Sequence, residues 1–232
     1  MGTILASAVI GKASTIIQDS SNIRWPQSEL LGWLNDGQRE VVNVKPSASV
    51  TNASVQLTAG STKQTIPAQG IMLIDVVRNM GAAGSTPGNA VRIVSREILD
   101  AQTPTWHSDA NVPGDIKHFV FDPRDPKTFY TYPKAPATAW YVELIYSSSP
   151  TDCATVSTAI SIDDIYATAL MNYVLFRAYS KDTSYAQNAQ LAANYYTLFL
   201  NGIGVKAQQE LGNNPNLSSA QFNPNVPGSA KI

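Results

Sequence analysis

The spacing at which apolar residues recur changes twice along this chain, from 3.6 to 2 and back to 3.6, and this limits the folds open to it. Residues 3–18 gather Leu5, Val9, Ile10, Ala13, Ile16 and Ile17 within one helical arc, opposite Ser7, Gly11, Ser14 and Gln18. The spacing predicts an amphipathic helix that stops in the turn-forming cluster Asp19-Ser20-Ser21-Asn22. A second helix opens at Arg24-Trp25-Pro26, because proline lacks only an N–H that the first helical turn leaves unpaired anyway. It runs to about Val44, with Leu30, Trp33, Leu34, Gly37, Val41 and Val44 on one face and Ser28, Asn35, Asp36, Arg39 and Glu40 on the other. Lys45-Pro46 ends it.

From Ala48 to about Pro150 the period is 2, punctuated by Gly, Pro, Ser and Thr. Strands are predicted at Ser54–Leu57, Lys63–Ile66, Met72–Asn79, Ala90–Val94, Lys117–Phe121, Thr128–Tyr132 and Ala139–Tyr146. His118–Phe121 and Phe129–Tyr132 form a hairpin around the proline-stiffened turn Asp122–Pro126. Ser95–Gln102 reads as one short helix capped by Ser95, and Gly81–Gly88 as a flexible loop tip without the spacing that cradles phosphate. Helix returns at Ser161-Ile162-Asp163-Asp164, where the serine caps and the carboxylates face the positive end of the dipole.

That third major helix runs to about Asp182 and is apolar nearly all round, so it needs cover on more than one side. A fourth spans Tyr185 to Leu211 and stops at Gly212-Asn-Asn-Pro215. The remainder, Asn213–Ile232, carries Pro215, Pro224 and Pro227 with isolated apolar residues, a composition for an extended tail. The fold expected is α+β. Two N-terminal and two C-terminal helices (1–47 and 151–212) make a four-helix bundle, 48–150 is an inserted antiparallel β-rich subdomain, and 213–232 is an extended C-terminal tail.

Composition narrows the function. Lys+Arg number 16 against Asp+Glu 17, a net charge of -1, so no basic field exists to neutralise phosphates and a dedicated nucleic-acid reader is disfavoured. No apolar run reaches the roughly 18 residues of a membrane span, and the N-terminus lacks the pattern of a targeting segment. Only 14% of residues are charged, where about 25% is usual. A surface so short of charge suits one that neighbouring molecules cover.

No catalytic constellation emerges. His107 and His118 stand near Asp109, Asp122 and Asp125 in a spacing that fits no metal-ligand pattern. Cys153 is a lone thiol with no partner signature and reads as buried and inert; Asp163-Asp164 is explained by helix capping. Trp106, Trp140, Tyr130, Tyr132 and Tyr141 read as packing for a half-buried sheet rather than as a stacking platform. We therefore expect no catalytic, cofactor-binding or metal residues and no enzyme activity.

The segment Ala8–Pro46 is the most specific. Its string Gln18-Asp19, Asn22-Ile-Arg-Trp25, Glu29-Leu-Leu31, Trp33-Leu-Asn-Asp-Gly-Gln-Arg-Glu40 and Lys45-Pro46 resembles the opening of the head-to-tail adaptor proteins of tailed bacteriophages, which form rings beneath the portal. The rest of the chain agrees with that family in outline: a long middle segment, then two closing helices. The resemblance implies a virion protein of the neck, assembled in the host cytoplasm, forming a dodecameric homo-oligomer that docks to the portal protein and receives tail nozzle, tube or fibre proteins. Genomic DNA would pass through its channel during ejection without specific binding, and no membrane is involved. Two other classes stand beside this structural role: a β-rich module (48–150) binding a tail fibre or host glycan, and, with less support, a cell-wall hydrolase using His107, His118 or Asp163. Interface candidates are Trp25, Trp33, Asp36, Arg39 and Glu40, with Leu217, Phe222, Val226 and Ile232 in the tail. Trp25 and Trp33 supply bulk, Gly37 permits close helix approach, and Asp36, Arg39 and Glu40 form a charge cluster able to meet a neighbouring subunit.

Overall fold

The computed structural model describes residues 2–108, 114–182 and 185–212, with the backbone alone for 186 and 205–212. The chain divides into two compact units, Met1–Lys45 with Asp152–Ile232, and Pro46–Thr151. The fold is α+β.

In the first unit, α1 (Ala6–Ile16) buries Ala6, Val9, Ile10 and Ala13, one narrow stripe at helical spacing. Leu5 and Ile16, expected on that stripe, stand at its two ends and are half exposed. α2 (Gln27–Val44) starts where Pro26 sets the backbone, and the Pro26 carbonyl accepts the N–H groups of Glu29 and Leu30. Its buried face carries Leu30, Trp33, Leu34, Gly37, Val41 and Val42. The next long helix of this unit, α4 (Ala167–Lys181), buries Ala169, Leu170, Tyr173, Val174, Leu175 and Ala178. It touches α1, α2 and α5 (Ala186–Gly212), which explains why its sequence is apolar on several sides. α5 lies along α4 through an aromatic seam: Tyr173 on Phe199 at 5.1 Å, Phe176 on Tyr196 at 4.9 Å, and Tyr179 stacked on Tyr195 at 5.6 Å between centroids.

Ser161 does not cap α4 as the sequence suggests. Its N–H and hydroxyl both donate to Gln38 Oε1, and a 3-10 turn over Asp164–Tyr166 precedes the helix, with the Asp163 carboxylate accepting the Ile165 N–H. Asp164 instead turns to the N-terminus and accepts from the Thr3 N–H, the Thr3 hydroxyl and the Ile4 N–H at 2.6 to 2.9 Å. Residues flanking Leu5 complete this strap by pairing with the segment around Ala159.

The second unit contains β1 (Val50–Gln56), β2 (Lys63–Thr65), β3 (Gly70–Gly81), β4 (Arg92–Ile93), α3 (Arg96–Gln102), β5 (His118–Phe121), β6 (Thr128–Tyr132) and β7 (Tyr141–Ser148). They form two sheets, ordered β1-β7-β3 and β2-β6-β5-β4. One buried cluster draws on both: Leu73, Val76, Val142, Leu144 and Tyr146 from the first, Phe119 and Phe129 from the second. A smaller cluster of Leu99, Trp106 and Val120 lies beneath α3. The hairpin pairs His118 with Tyr132 and Phe121 with Phe129 as the alternation predicts. The expectation of a wholly antiparallel block fails at one edge, where β4 runs parallel to β5. The connection between them contains α3 and is long enough to carry the chain back, which a hairpin turn is not. Ser95 is the N-cap residue of α3 but makes no side-chain capping bond.

Candidate functional site

The adaptor-like string folds into a turn and a helix whose residues are almost all occupied within the chain. Asp19 organises the turn: its carboxylate accepts from the N–H groups of Ile23, Arg24 and Trp25 at 2.8 to 3.0 Å, while Gln18 and Asn22 adopt positive φ. This delivers Trp25 to the head of α2, where its ring lies 5.6 Å from that of Trp33. Both are buried, at 8% and 7% exposure. The C-terminal end of α4 closes over them: the Lys181 ammonium sits 5.2 Å from the Trp25 ring centroid and donates to Glu29, and Arg24 pairs with Asp182.

One turn further, polarity turns inward. Asn35, which helical spacing places with the solvated residues, is buried, and so is Gln38. Asn35 Nδ2 donates to the Cys153 carbonyl at 3.2 Å and its Oδ1 accepts the Cys153 N–H at 2.8 Å, a two-way clamp on the returning chain. Gln38 Oε1 accepts from Ser161 N–H and Oγ at 2.7 and 2.9 Å, and its Nε2 reaches Asn35 Oδ1 and Cys153 Sγ. The Cys153 thiol donates to the Ala159 carbonyl, and burial pushes its pKa up, so it is held as an inert thiol. Gly37 lies between these polar residues on the packed side: a Cβ there would stand 3.0 Å from Tyr173 Cδ1 and 3.3 Å from Leu170 Cδ2.

The charge cluster is at the surface. Arg39 donates to Asp36 at 2.8 Å and also to Asp152, with all three side chains about half exposed. Glu40 is half-buried beside them. Of the remaining candidates, Leu217, Phe222, Val226 and Ile232 lie outside the described residues.

The groups singled out for chemistry are dispersed. His107 stacks on Trp106 at 3.6 Å and its Nδ1 bonds to the Thr62 hydroxyl at 2.9 Å, while His118 stacks on Tyr132. Asp122 is engaged by Arg124, which holds its carboxyl at about 2, and Asp163 caps the 3-10 turn. Asp109 lies outside the described residues. Among the described residues no group of three or more His, Cys, Asp or Glu side chains is placed to hold a metal ion, and no helix is long and apolar enough to cross a membrane. Trp106 is buried with its Nε1 donating to Asp100, and Trp140 donates to Asn79, so these aromatics serve the core.

What remains is surface. No charged residue stands between Asp182 and Lys206. Over that stretch, among the described side chains, α5 buries Ala192, Phe199 and Ile203 of its apolar groups and leaves Leu191, Leu198 and Leu200 at 36 to 51% exposure. A family model of the SU10 adaptor protein matches residues 5–220, nearly the whole chain, including this helix and the Asp19–Trp25 turn. The chain belongs to the SU10 adaptor family of phage head-tail adaptors. No curated protein matches the chain. As an adaptor it is a structural component of the virion, and the in-chain roles of Asp19, Trp25, Asn35, Gly37 and Gln38 account for a string that fixes the relative placement of α1, α2 and α4. The inward turn of Asn35 and Gln38 was not readable from helical spacing; a buried amide beside Gly37 was the available signal, since Asn-x-Gly-Gln leaves two hydrogen-bonding amides next to the closest helix contact.

Proposed function

We propose that this adaptor links the portal ring to the tail and extends the DNA exit channel as a dodecameric ring, the helical segments 1–47 and 151–212 acting as one bundle domain and 48–150 as an inserted subdomain. The observation that carries this reading is α5, a helix of 27 residues, about 40 Å long, whose stretch 187–204 carries no charge and exposes Leu191, Leu198 and Leu200. Left in water, such a face would be an association surface; between subunits of a ring it is covered. Asp36, Arg39 and Glu40 meet the adjoining subunit as a second contact, and Trp25 and Trp33 anchor the helix α2 that presents them. A near-neutral chain suits a channel wall along which DNA slides, because few cations are present to grip phosphates. Asn213–Ile232, with Leu217, Phe222, Val226 and Ile232, binds the portal or a neighbouring adaptor. Electron microscopy of the purified protein mixed with its portal tests the proposal: a twelve-fold ring on the portal supports it, and a monomer that never engages the portal defeats it. Deleting Asn213–Ile232 without effect on portal attachment would remove the role given to the tail.

A further inference from the structure

The two sheets present four edges, and three are blunted against pairing with another chain. β4 is two residues long and begins at Arg92; β2 is three, starts at Lys63 and is followed by Pro67. β3 slips register at four places along β7, and its outer side is occupied: Asn79 N–H donates to Asn89, Gly88 N–H to Asn79, and Val91 N–H to Val77. β1 has none of these protections. It pairs with β7 residue for residue without a bulge, and no charged residue stands between Lys45 and Lys63.

The register shows which backbone groups β1 leaves open. Leu57 N–H donates to the Trp140 carbonyl at 2.8 Å and Ser148 N–H to Ser49 at 2.9 Å, so Thr51, Ala53 and Val55 are the residues that exchange bonds with β7. The N–H and C=O groups of Val50, Asn52, Ser54 and Gln56 therefore point away from the sheet, and none has a backbone partner among the described residues. The side chains of these four residues are exposed as well. Glu143 accepts from Asn52 on one side and from Arg78 on the other, tying β1 to β7 and β7 to β3 by side chains.

We propose that the outer edge of β1 receives residues 216–223 of a neighbouring copy of this chain as an added strand. The inference rests on the reading that copies stand side by side in a ring. The chain continues for residues 213–232 beyond α5, which at full extension reach on the order of 65 Å. Pro215 and Pro224 bracket Asn216–Asn223, a proline-free run as long as the seven residues of β1 require. The run carries no charge, matching an edge that carries none, and strand addition draws affinity from main-chain bonds that any proline-free run can supply.

Disulfide trapping between two full-length pools tests this, one carrying Ser54→Cys and the other a single cysteine at one of positions 217–222, with and without portal. Cys153 stays in place because it is only 2% exposed. The expected result is mixed disulfide at alternate positions, since successive strand residues face opposite sides. No trapping in either condition, uniform trapping at all positions, or trapping only within a chain carrying both cysteines each overturns the inference. Amide exchange supplies a second reading. In the assembled protein the outward amides of Val50, Asn52, Ser54 and Gln56 exchange roughly a hundredfold or more slowly than in a chain ending at Gly212, while those of Thr51, Ala53 and Val55 are protected in both. Equal exchange in the two proteins also overturns it. Rings on the portal without trapping would reject strand addition and leave the adaptor reading standing; periodic trapping in chains that never engage the portal would do the reverse.

Discussion

Glycine at two positions of α2 yields opposite predictions for the same substitution. Gly32 is exposed with nothing within 4 Å of a built Cβ, whereas at Gly37 the Cβ would meet Tyr173 Cδ1 at 3.0 Å, Tyr173 Cγ at 3.2 Å and Leu170 Cδ2 at 3.3 Å. Both lie in the helix interior, so replacement by alanine removes the same backbone-entropy penalty, about 1 kcal/mol. At Gly32 that gain stands alone. At Gly37 the methyl must displace a buried ring on α4 from carbon contacts normally about 3.5–4.0 Å apart, and such overpacking costs about 1–3 kcal/mol. Gly32→Ala should therefore stabilise by up to about 1 kcal/mol and Gly37→Ala should lie between neutral and about 2 kcal/mol destabilised. For a chain of this size the separation is about 2–4 °C in Tm per kcal/mol, read by thermal melting at 222 nm, where the helical unit dominates the signal. Gly37→Leu should move Tm down further. If Gly37→Ala raises Tm as much as Gly32→Ala does, the close approach of α2 to α4 is not what selects glycine there.

Gln38→Ala should cost about 2–3 kcal/mol in denaturant unfolding, because it leaves the Ser161 N–H and the Asn35 amide network without their partner in a buried site; a loss under about 0.5 kcal/mol would refute that role. Arg39→Ala should change the stability of the isolated chain by less than about 1 kcal/mol, as its carboxylate partners are half exposed, yet should weaken ring formation measured by light scattering. The N-terminal strap should be pH-dependent. The Thr3 hydroxyl and the Ile4 N–H hold the Asp164 carboxyl below its usual 3.8, so the strap's stabilisation is present above that value and is lost as pH falls through the lowered pKa. The protection of the Thr3 and Ile4 amides, taken relative to the intrinsic exchange rate at each pH, should then fall at acid pH, and in Asp164→Ala it should be lost at neutral pH. Cys153 should resist alkylation at pH 8 in the folded protein and react on denaturation, checked by mass spectrometry, because burial raises its pKa and shields the sulfur.

Local chemistry alone placed the helices and most strands. The turn Asp122–Pro126 joins residues so near in sequence that the β5–β6 pairing needs no other part of the chain, and Pro26 and Lys45-Pro46 bracket α2 by backbone geometry. The apolar period likewise identified α4 as a helix needing cover on several sides. Tertiary structure decided whatever depended on partners more than a hundred residues away. Asn35 and Gln38 are buried because the chain returning at Cys153 and Ser161 lies on them, and Asp164 leaves helix capping to Asp163 because Thr3 and Ile4 arrive beside it. The parallel placement of β4, the division of seven strands into two sheets and the bare edge of β1 were equally invisible in the period. Alternation states which side of a strand faces the core, and the identity of its neighbours is set only when distant segments compete for the same backbone hydrogen bonds.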